Sequence, residues 1–518
     1  MKVHRVGLAQ NAEETPAKDN SHGSKAGVFQ NVFKEFAQRS TIHGLPYLGD
    51  QKLHHFERFW WFLLLIVSIV GSTIFIHRTY EKWNENPIII SLATKPTSVW
   101  HIPFPAITIC PQKKIKSEYL NTTDVIVNLF DYQNATTEEL RLLETIFQLL
   151  ETTLKAPIDV QNVSLSSNDL TEMMKKIAPT PGDTIASCIS NVYTPTCGRT
   201  VLTANGVCFS VNMLNARDLY REGIIHNDEE PQEMEELQWT RDGGFIADQW
   251  IDTRTAMYPY RSYHHPSVDA MKLVLKNYKE FIQDREPYQT GYTFLLHAPD
   301  DVPNFHWRTY QRSIRDMKDV TVLIIPKVIT TTNELRSYRS ERRSCYYTDE
   351  RYLKFYKIYT QNNCELECLT NFTLTYCGCV KFSMPRVATT DICGIPKIDC
   401  VREASMIYFA PTSKNASSMS RVNNCNCLPS CTQITYSAEV TSAVRHFIPK
   451  AVTDQFRMFF TYKSPTFEAA VRSENFGMSD FVAGCGGLLG LFMGISVLSV
   501  LEIVYFFTIH LIVNVKKK

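Results

Sequence analysis

Two hydroxyls and a carboxylate recur at every third position in an apolar stretch near the end of the chain. Ser496, Ser499 and Glu502 lie in the segment GCGGLLGLFMGISVLSVLEIV, residues 484–504. This spacing places them along one face of a helix. An ionisable side chain within an apolar span normally faces protein or water, because lipid penalises its charge. Copies of such a helix around an axis would form rings of hydroxyls and carboxylates, which is the chemistry of a cation pathway.

Glycines crowd the same stretch and allow two interpretations. They stand at positions 484, 486, 487, 490 and 494 and give two overlapping G-x-x-x-G spacings. Such spacings are typical of a helix-packing face. Glycine also loosens a helix, and a break would free backbone carbonyls for ions. The apolar segment 481–515 would extend roughly 52 Å as a straight helix, against a hydrocarbon core of roughly 30 Å, so it must tilt, project or break.

A second apolar stretch, FWWFLLLIVSIVGSTIFIH, occupies residues 59–77. It is long enough to cross a bilayer, and the lack of charge in residues 59–76 favours a span over a buried core helix. The sequence therefore predicts two spans. Two helices per chain cannot enclose a pore, so a cation pathway requires an oligomer.

The cysteines mark the region between the spans. None of the 15 cysteines precedes residue 59, fourteen lie between Cys110 and Cys431, and Cys485 stands inside the second span. An even number at this density predicts disulfides in an oxidising compartment. Zinc is disfavoured, because the cluster at 345–431 lacks paired C-x2-C units and a suitable histidine, so no metal site is predicted. Five glycosylation sequons agree: Asn121, Asn134, Asn162, Asn371 and Asn415.

These signals predict the organisation of the chain. Residues 1–58 form a cytoplasmic N-terminal segment, 59–77 the first transmembrane helix, 78–480 an extracellular cysteine-rich domain, 481–515 the second transmembrane helix, and 516–518 a short cytoplasmic C-terminus. The three closing lysines obey the positive-inside tendency. We expect residues 1–40 to be loosely ordered and the glycines and proline of 44–49 to fix a turn.

The extracellular region is predicted to mix helices and strands. Residues 137–151 and 164–177 read as helices, whereas 104–110, 321–331 and 431–444 are rich in β-formers. The charge is balanced, with 54 Lys and Arg against 53 Asp and Glu, so nucleic acid is not an expected partner. The common catalytic motifs are missing from the sequence, which predicts that the protein is not an enzyme and needs no cofactor.

Ordered motifs resemble one family, the epithelial sodium channel, degenerin and acid-sensing ion channel superfamily. They are His43-Gly44, FPAITIC (104–110), RRSCYYTDERYLKFYKIYTQNNCELEC (342–368), Cys377-Gly378-Cys379, CNCLPSC (425–431) and GGLLGLFMGISVLSVLE (486–502). The motifs GGLLGLF and IPFPAITIC resemble those of the insect pickpocket branch.

The resemblance implies a membrane protein with two transmembrane helices flanking a disulfide-rich α+β ectodomain with palm, finger and thumb parts, assembled as a trimer. It implies a voltage-independent, amiloride-sensitive, sodium-selective channel gated by an extracellular ligand, protons or force. Carried over, Gly494, Ile495 and Ser496 match the selectivity filter, Ser499 and Glu502 line the pore, Ala483 is the degenerin position, and His43 and Gly44 form the gating motif. The sequence departs from the family's pattern at four residues: Gly484, Cys485, Leu488 and Ile90.

The resemblance also implies seven disulfides. The pairs are Cys110 with Cys208, Cys188 with Cys197, Cys345 with Cys431, Cys364 with Cys427, Cys368 with Cys425, Cys377 with Cys400, and Cys379 with Cys393. Spacing alone leaves the connectivity open.

The expected partners are related or identical subunits in a homotrimer or heterotrimer, the plasma membrane with both termini cytoplasmic, sodium ions, and an extracellular ligand or tether. The alternative is a non-conducting cell-surface receptor or adhesion protein with the same ectodomain.

Overall fold

The computed structural model describes most of the chain in two compact units. The described residues are 25–50, 52–85, 87–116, 119, 137–150, 166–189, 198–226, 236–246, 257–262, 271–276, 291–305, 309–314, 319–409, 425–443 and 455–516. The apolar unit comprises the described residues up to Ile88 and from Glu474 onward, and the disulfide-rich unit comprises those in Ile89–Ser473.

The helices and strands are numbered separately in chain order. The helices are α1 (Lys25–Arg39), α2 (Leu45–Gly49), α3 (His55–Glu85), α4 (Thr137–Leu150), α5 (Ser167–Ile177), α6 (Pro181–Thr184), α7 (Ala216–Leu219), α8 (Ser340–Arg343), α9 (Gln361–Cys377), α10 (Ile398–Phe409), α11 (Met478–Met493), α12 (Val497–Tyr505) and α13 (Leu511–Lys516), with a π-helical turn at Phe506–His510. The strands are β1 (Ile88–Leu92), β2 (Thr97–Ser98), β3 (Ala106–Pro111), β4 (Ile185–Ile189), β5 (Arg199–Thr203), β6 (Gly206–Val211), β7 (Ile224–Ile225), β8 (Trp239–Thr240), β9 (Gly244–Phe245), β10 (Met271–Lys276), β11 (Tyr292–His297), β12 (Tyr310–Ile314), β13 (Asp319–Thr331), β14 (Arg386–Val387), β15 (Gln433–Ala443), β16 (Gln455–Tyr462), β17 (Thr466–Phe467) and β18 (Ala470–Glu474).

Apolar helices dominate the apolar unit. By length and composition, His55–Glu85 and Val497–Lys516 are each able to cross a membrane. Helix α11 packs against α3 where Gly71 leaves room for a ring, because a Cβ there would lie 3.0 Å from Phe492. Phe75 stacks on the same ring at a centroid distance of 5.8 Å. A small residue thus allows close helix contact.

Two expectations about the N-terminal region are wrong. Residues 25–39, expected to be loosely ordered, form α1, because Val32 and Phe36 are buried in an apolar cluster with Phe506. Residues 45–49, expected to form a turn, form the short helix α2. Gly44 precedes it at a φ of +87°, and Pro46 stands in its first turn, where its missing N–H is not needed.

Two sheets form the core of the disulfide-rich unit. The larger has seven strands in the order β1-β18-β13-β16-β10-β4, with β15 added to β13, and the smaller has the order β12-β11-β3-β6-β5. Phe294 of β11 meets Phe460 of β16 edge to face at 5.5 Å, so the two sheets share one apolar core. The expected mixture of helices and mainly antiparallel strands is found.

The sequence pattern explains the individual elements. In β13, alternate residues including Val320, Val322 and Ile324 are buried, as expected of a strand with one face on a core. All of β3 is buried. Ser166 caps α5 by accepting a hydrogen bond from the Asp169 N–H at 3.2 Å. The predictions of strands at 104–110, 321–331 and 431–444 and of helices at 137–151 and 164–177 are confirmed to within a few residues.

Disulfides cross-link the unit at six described pairs. They are Cys110–Cys208, Cys345–Cys431, Cys364–Cys427, Cys368–Cys425, Cys377–Cys400 and Cys379–Cys393, the same pairs that the resemblance implies. Cys188 is also disulfide-bonded, and its expected partner Cys197 lies outside the described residues. Asn371 is exposed on α9, whereas the other four sequon asparagines lie outside the described residues.

A buried histidine sits among hydrogen-bonding groups of the smaller sheet. The Nδ1 atom of His297 lies 2.9 Å from the Ala298 carbonyl, and Nε2 lies 2.8 Å from the Thr108 hydroxyl. A neutral ring that donates from Nδ1 and accepts at Nε2 satisfies both contacts. Burial lowers the pKa of His297 from 6.5 to about 4, although the bond to Ala298 raises it in part.

This histidine makes stability fall in acid. The unfolded chain binds a proton at His297 near its ordinary pKa, whereas the folded ring stays neutral until about pH 4. Its contribution is therefore complete above pH 6.5 and is lost between pH 6.5 and 4, up to about 3 kcal/mol. We expect His297→Gln to show a smaller fall in Tm between about pH 7.5 and about pH 5 than wild type. The exposed His101→Gln is the control; equal slopes for wild type and His297→Gln would contradict the assignment.

Candidate pore segment

The second apolar segment breaks at the three residues predicted to form a filter. Helix α11 ends at Met493 and is capped by Gly494, which has a φ of +68° and whose N–H donates to the Gly490 carbonyl at 2.9 Å. Helix α12 begins after Ser496, whose Oγ accepts from the Ser499 N–H at 3.3 Å while Ser499 Oγ accepts from the Ser496 N–H at 3.2 Å. A glycine cap followed by a reciprocal serine cap ends one helix and starts the next.

Gly494 is required for two separate reasons. A positive φ disfavours residues that carry a Cβ. A Cβ at this position would also lie 2.6 Å from Cε1 and Nδ1 of His43, which is closer than real contacts allow. The break therefore depends on glycine both for its backbone angle and for the approach of the His43 ring.

The His43-Gly44 motif contacts this break directly. The His43 N–H donates to the Met493 carbonyl at 2.9 Å, at the last residue of α11. Helix ends carry carbonyls without partners inside the helix, and this bond satisfies one of them. Gly44 differs from Gly494, because a Cβ there would meet its nearest atom, on Leu65, at 3.9 Å. At Gly44 only the positive φ calls for glycine.

Thr41 holds the polar face of α12. Its hydroxyl lies 2.8 Å from Ser499 Oγ and donates to Glu502 Oε2 at 3.0 Å, and its N–H donates to the same carboxylate oxygen at 3.3 Å. Ser499 is buried and Glu502 is half-buried. The predicted polar face of the helix is thus part of one hydrogen-bonded network. In it Ser496 contacts Ser499, and Thr41 contacts both Ser499 and Glu502.

Helix α1 extends these contacts along the C-terminal part of the segment. The Phe36 ring meets those of Phe506 and Phe507 at 5.5 and 5.3 Å. One turn further, Glu35 Oε2 lies 3.1 Å from His510 Nε2. Residues 32–43, here termed the N-terminal cover, therefore lie along the chain from Met493 to His510. The surface that this cover contacts therefore includes the rings of Phe506 and Phe507 in the π-helical turn and the break at Gly494.

Three of the four glycines within α11 do not pack against other helices among the described residues of the chain. A Cβ at Gly486 or Gly487 would meet no atom within 4 Å among the described residues, and one at Gly490 would meet only Ile495 O at 3.8 Å. Gly484 faces Thr79 at 3.5 Å, an ordinary contact. Ala483 is exposed. Within one chain, the helix-packing face therefore lies at Gly71 and Gly484 rather than at the overlapping G-x-x-x-G glycines.

The structure brings six of the eight predicted pore and gating residues together. His43, Gly494, Ile495, Ser496, Ser499 and Glu502 surround the break or contact the cover, whereas Gly44 shapes the turn beside them and Ala483 lies two to three helical turns away on α11. Sequence reasoning missed Thr41. No periodic pattern marks it, and only its position two residues before the His-Gly motif could have suggested a role.

A family model described as "Amiloride-sensitive sodium channel" matches residues 36–506. The chain belongs to this family. The match begins in the N-terminal cover and ends in the π-helical turn, so it includes His43, the break at Gly494–Ser496, and Glu502.

Relatives from insects match the chain over nearly its whole length. Pickpocket protein 28 of Drosophila melanogaster is 25% identical over 96% of this chain and 81% of its own length. Sodium channel protein Nach of the same species is 22% identical over 95% and 89%, and Pickpocket protein 11 is 21% identical over 92% and 75%. These matches support the pickpocket branch. A solved proton-activated chloride channel gives a TM-score of 0.28 at 7% identity over 86% of this chain and 95% of its own, too weak a likeness for any argument.

Membership in the amiloride-sensitive sodium channel family decides the class of function. The chain is a membrane cation channel and not an enzyme, with two apolar helices and a disulfide-rich ectodomain. Channels of this family work as multimeric assemblies in a membrane.

Proposed function

We propose that this chain is one subunit of a voltage-independent, sodium-selective, amiloride-sensitive channel. The subunit has a hand-like ectodomain and assembles as a homotrimer or heterotrimer in the plasma membrane, with both termini cytoplasmic. Two apolar helices per chain cannot surround a pore, so several copies of the candidate pore segment must meet around one axis.

The observation that carries the proposal is the interruption of an apolar helix at Gly494–Ser496 beside a hydroxyl and carboxylate face. Non-helical backbone at membrane depth is tolerated only where it is buried in protein or lines a water-filled cavity. The outer surface of α12 is apolar, with Val497 and Leu498 largely exposed, whereas Ser499 is buried. The Ser499 side contacts Thr41 of the N-terminal cover, and in this proposal the polar groups that α12 shares with the cover line the ion path.

The residues take separate roles in this proposal. Gly494, Ile495 and Ser496 form the selectivity filter, and Ser499 and Glu502 line the pore below it. Ala483 is the degenerin position, where a larger side chain favours the open state, and His43 and Gly44 act in gating. The N-terminal cover supports this gating role, because His43 bonds to the residue that precedes the filter.

The domain boundaries follow the predicted organisation. Residues 1–58 and 516–518 are cytoplasmic, 59–77 and 481–515 span the membrane, and 78–480 form the extracellular domain, with its thumb-like cysteine cluster at 345–431. Glycans on the exposed Asn371 and on the other sequons would lie outside the cell. The stimulus is an extracellular ligand, protons or mechanical force.

Replacement of external sodium tests the proposal. We express the chain in oocytes with Ala483→Val, which holds the channel open, and replace external sodium with a large organic cation. The inward current should disappear and the reversal potential should become more negative, and Glu502→Gln should change the sodium over potassium permeability ratio. A current that is unchanged in the organic cation would contradict a sodium pathway, and a ratio insensitive to Glu502→Gln would contradict the pore role of Glu502. No current above that of uninjected cells, with either residue at position 502, would favour the non-conducting receptor instead.

Thr41→Val tests the link between the cover and the pore. The substitution keeps the shape of the side chain but removes the hydroxyl that contacts Ser499 and Glu502. Loss of such a bond costs about 1 to 2 kcal/mol, enough for a several-fold change in a permeability ratio. We expect Thr41→Val and Glu502→Gln each to change the sodium over potassium ratio, and the double variant to change it no further than the larger single effect.

Thr508→Val is the matched control for this cycle. Its hydroxyl donates to Val504 O within the same segment and contacts no residue of the cover among the described residues. The permeability ratio should stay at the wild-type value. Additive effects of Thr41→Val and Glu502→Gln would show that the two side chains act independently.

A further inference from the structure

A buried arginine of the disulfide-rich unit lacks acceptors. Arg472 in β18 is 4% exposed, and among the described residues no hydrogen-bond partner reaches its Nε or Nη1 atoms. Its backbone is fixed, because Arg472 lies opposite Thr331 in the sheet and its carbonyl accepts from the Thr332 N–H at 3.0 Å. Buried polar groups are nearly always paired, and an unpaired buried cation is among the costliest groups in a fold.

The carboxylate of Glu350, which contacts the neighbours of Arg472, is already engaged. Arg343 is 1% exposed, and each of its three nitrogens donates a hydrogen bond: Nε to the Cys345 carbonyl at 3.1 Å, Nη1 to the Tyr338 carbonyl at 2.7 Å, and Nη2 to Glu350. The Glu350 carboxylate also accepts from the Tyr347 N–H at 2.9 Å. Arg343 therefore adds a second buried positive charge without leaving a carboxylate for Arg472.

Tyr347 contacts Arg343 and influences Arg472. It is 5% exposed, and its ring centroid is 4.7 Å from Cζ of both Arg343 and Arg336. Burial lowers the pKa of the Arg472 guanidinium, Tyr347 raises it, and the charge of Arg343 lowers it further. None of these influences is a carboxylate. The surroundings of Arg472 thus contain buried donors and positive charge in excess.

We propose that Arg472, Arg343 and Tyr347 line a binding site for a small monovalent inorganic anion such as chloride. Arg472 supplies the free N–H donors, Arg343 supplies charge, and the aromatic ring closes the apolar side. A single negative charge balances the one guanidinium that has no carboxylate. The site lies beside the fully buried Cys345–Cys431 disulfide, so an occupied site would stabilise the base of the cysteine cluster. The site is independent of the proposed pore.

Thermal unfolding in two salts tests the site. The full-length protein, purified in detergent, is heated in sodium chloride, sodium bromide or sodium gluconate at equal ionic strength. A halide at about ten times its Kd should raise Tm by about 3 °C over gluconate. Arg472→Gln should remove this rise, because it deletes the charge and most donors. Arg339→Gln, an exposed arginine of the same segment, is the matched control and should keep it.

A second measurement uses only the wild-type protein and therefore does not depend on whether the variant folds. Bromide bound to the wild-type protein should give an anomalous density peak beside the Arg472 guanidinium in a crystal grown with bromide. A wild-type Tm that is equal in halide and gluconate would overturn the proposal. So would an unchanged halide response in Arg472→Gln, or a water molecule in place of bromide at the guanidinium.

Discussion

Gly494→Ala should reduce the sodium current at least tenfold while the protein still reaches the cell surface. A non-glycine residue at a positive φ costs about 1 to 2 kcal/mol, and about 1.4 kcal/mol changes an equilibrium tenfold. The added methyl would also lie 2.6 Å from the His43 ring, whose main chain is bonded to Met493. The break must therefore move, and the conducting arrangement is lost. Current in the Ala483→Val background, normalised to surface protein, measures the effect.

Substitution by asparagine separates the effect of the positive φ from that of the contact with His43, because asparagine tolerates a positive φ better than alanine does. Gly44 provides the matched position: its φ is +87°, but a Cβ there would have its nearest neighbour at 3.9 Å. We expect Gly44→Asn to restore much of the current lost in Gly44→Ala. At Gly494, asparagine should be as damaging as alanine, because the contact with His43 remains. A wild-type current in Gly494→Ala, or full rescue by Gly494→Asn, would refute the role of that contact.

The local sequence indicated the break as one of three possibilities, beside tilting and projecting, but did not indicate what covers it. Gly494 and the serines that follow stand next to each other in the chain, so their caps form from neighbouring residues. The same is true of β13, whose alternating pattern follows from one buried face. Such features depend on nearby residues, which a single sequence displays directly.

The N-terminal cover depends on contacts between distant residues. Phe36 is buried only because Phe506 lies beside it, and Thr41 meets Ser499 across 458 positions of sequence. Part of this was visible: Phe29, Val32, Phe33 and Phe36 repeat every three to four residues, the pattern of an amphipathic helix. The polar composition of residues 1–40 hid it. Thr41 had no such pattern, because a single hydroxyl carries no periodicity.

The disulfide connectivity is a further feature that the sequence of one chain could not predict. Spacing left the pairing of fourteen cysteines open, and only the resemblance to a family supplied it. The six described pairs join residues 14 to 98 positions apart. Their partners are brought together by α9, α10 and the strand ends rather than by local sequence. Long-range pairing of this kind needs information beyond one chain.

Asp300→Asn should destabilise the disulfide-rich unit more than any surface charge substitution. Asp300 is fully buried, and its carboxylate accepts from Arg241 Nε at 2.7 Å and from Nη2. The amide would leave the Arg241 charge buried, with Asp301 at 3.5 Å and the nearby Asp242 as weaker carboxylate neighbours. Removal of one member of a buried pair costs about 3 to 5 kcal/mol. We expect Tm of the purified full-length protein to fall by about 8 °C.

Glu439→Gln provides the matched control, because the Glu439 and Lys463 side chains are 52% and 49% exposed in their ion pair at 2.6 Å. Solvent screens such a pair, so its loss should cost less than about 1 kcal/mol. Equal falls in Tm for the two variants would contradict the burial argument. The contrast has a structural basis: the Asp300 carbonyl also accepts from Asn363 Nδ2 at 3.0 Å, at the start of α9. The Asp300 main chain thus joins the end of the smaller sheet to α9 beside this pair, and loss of the pair should also lower surface expression.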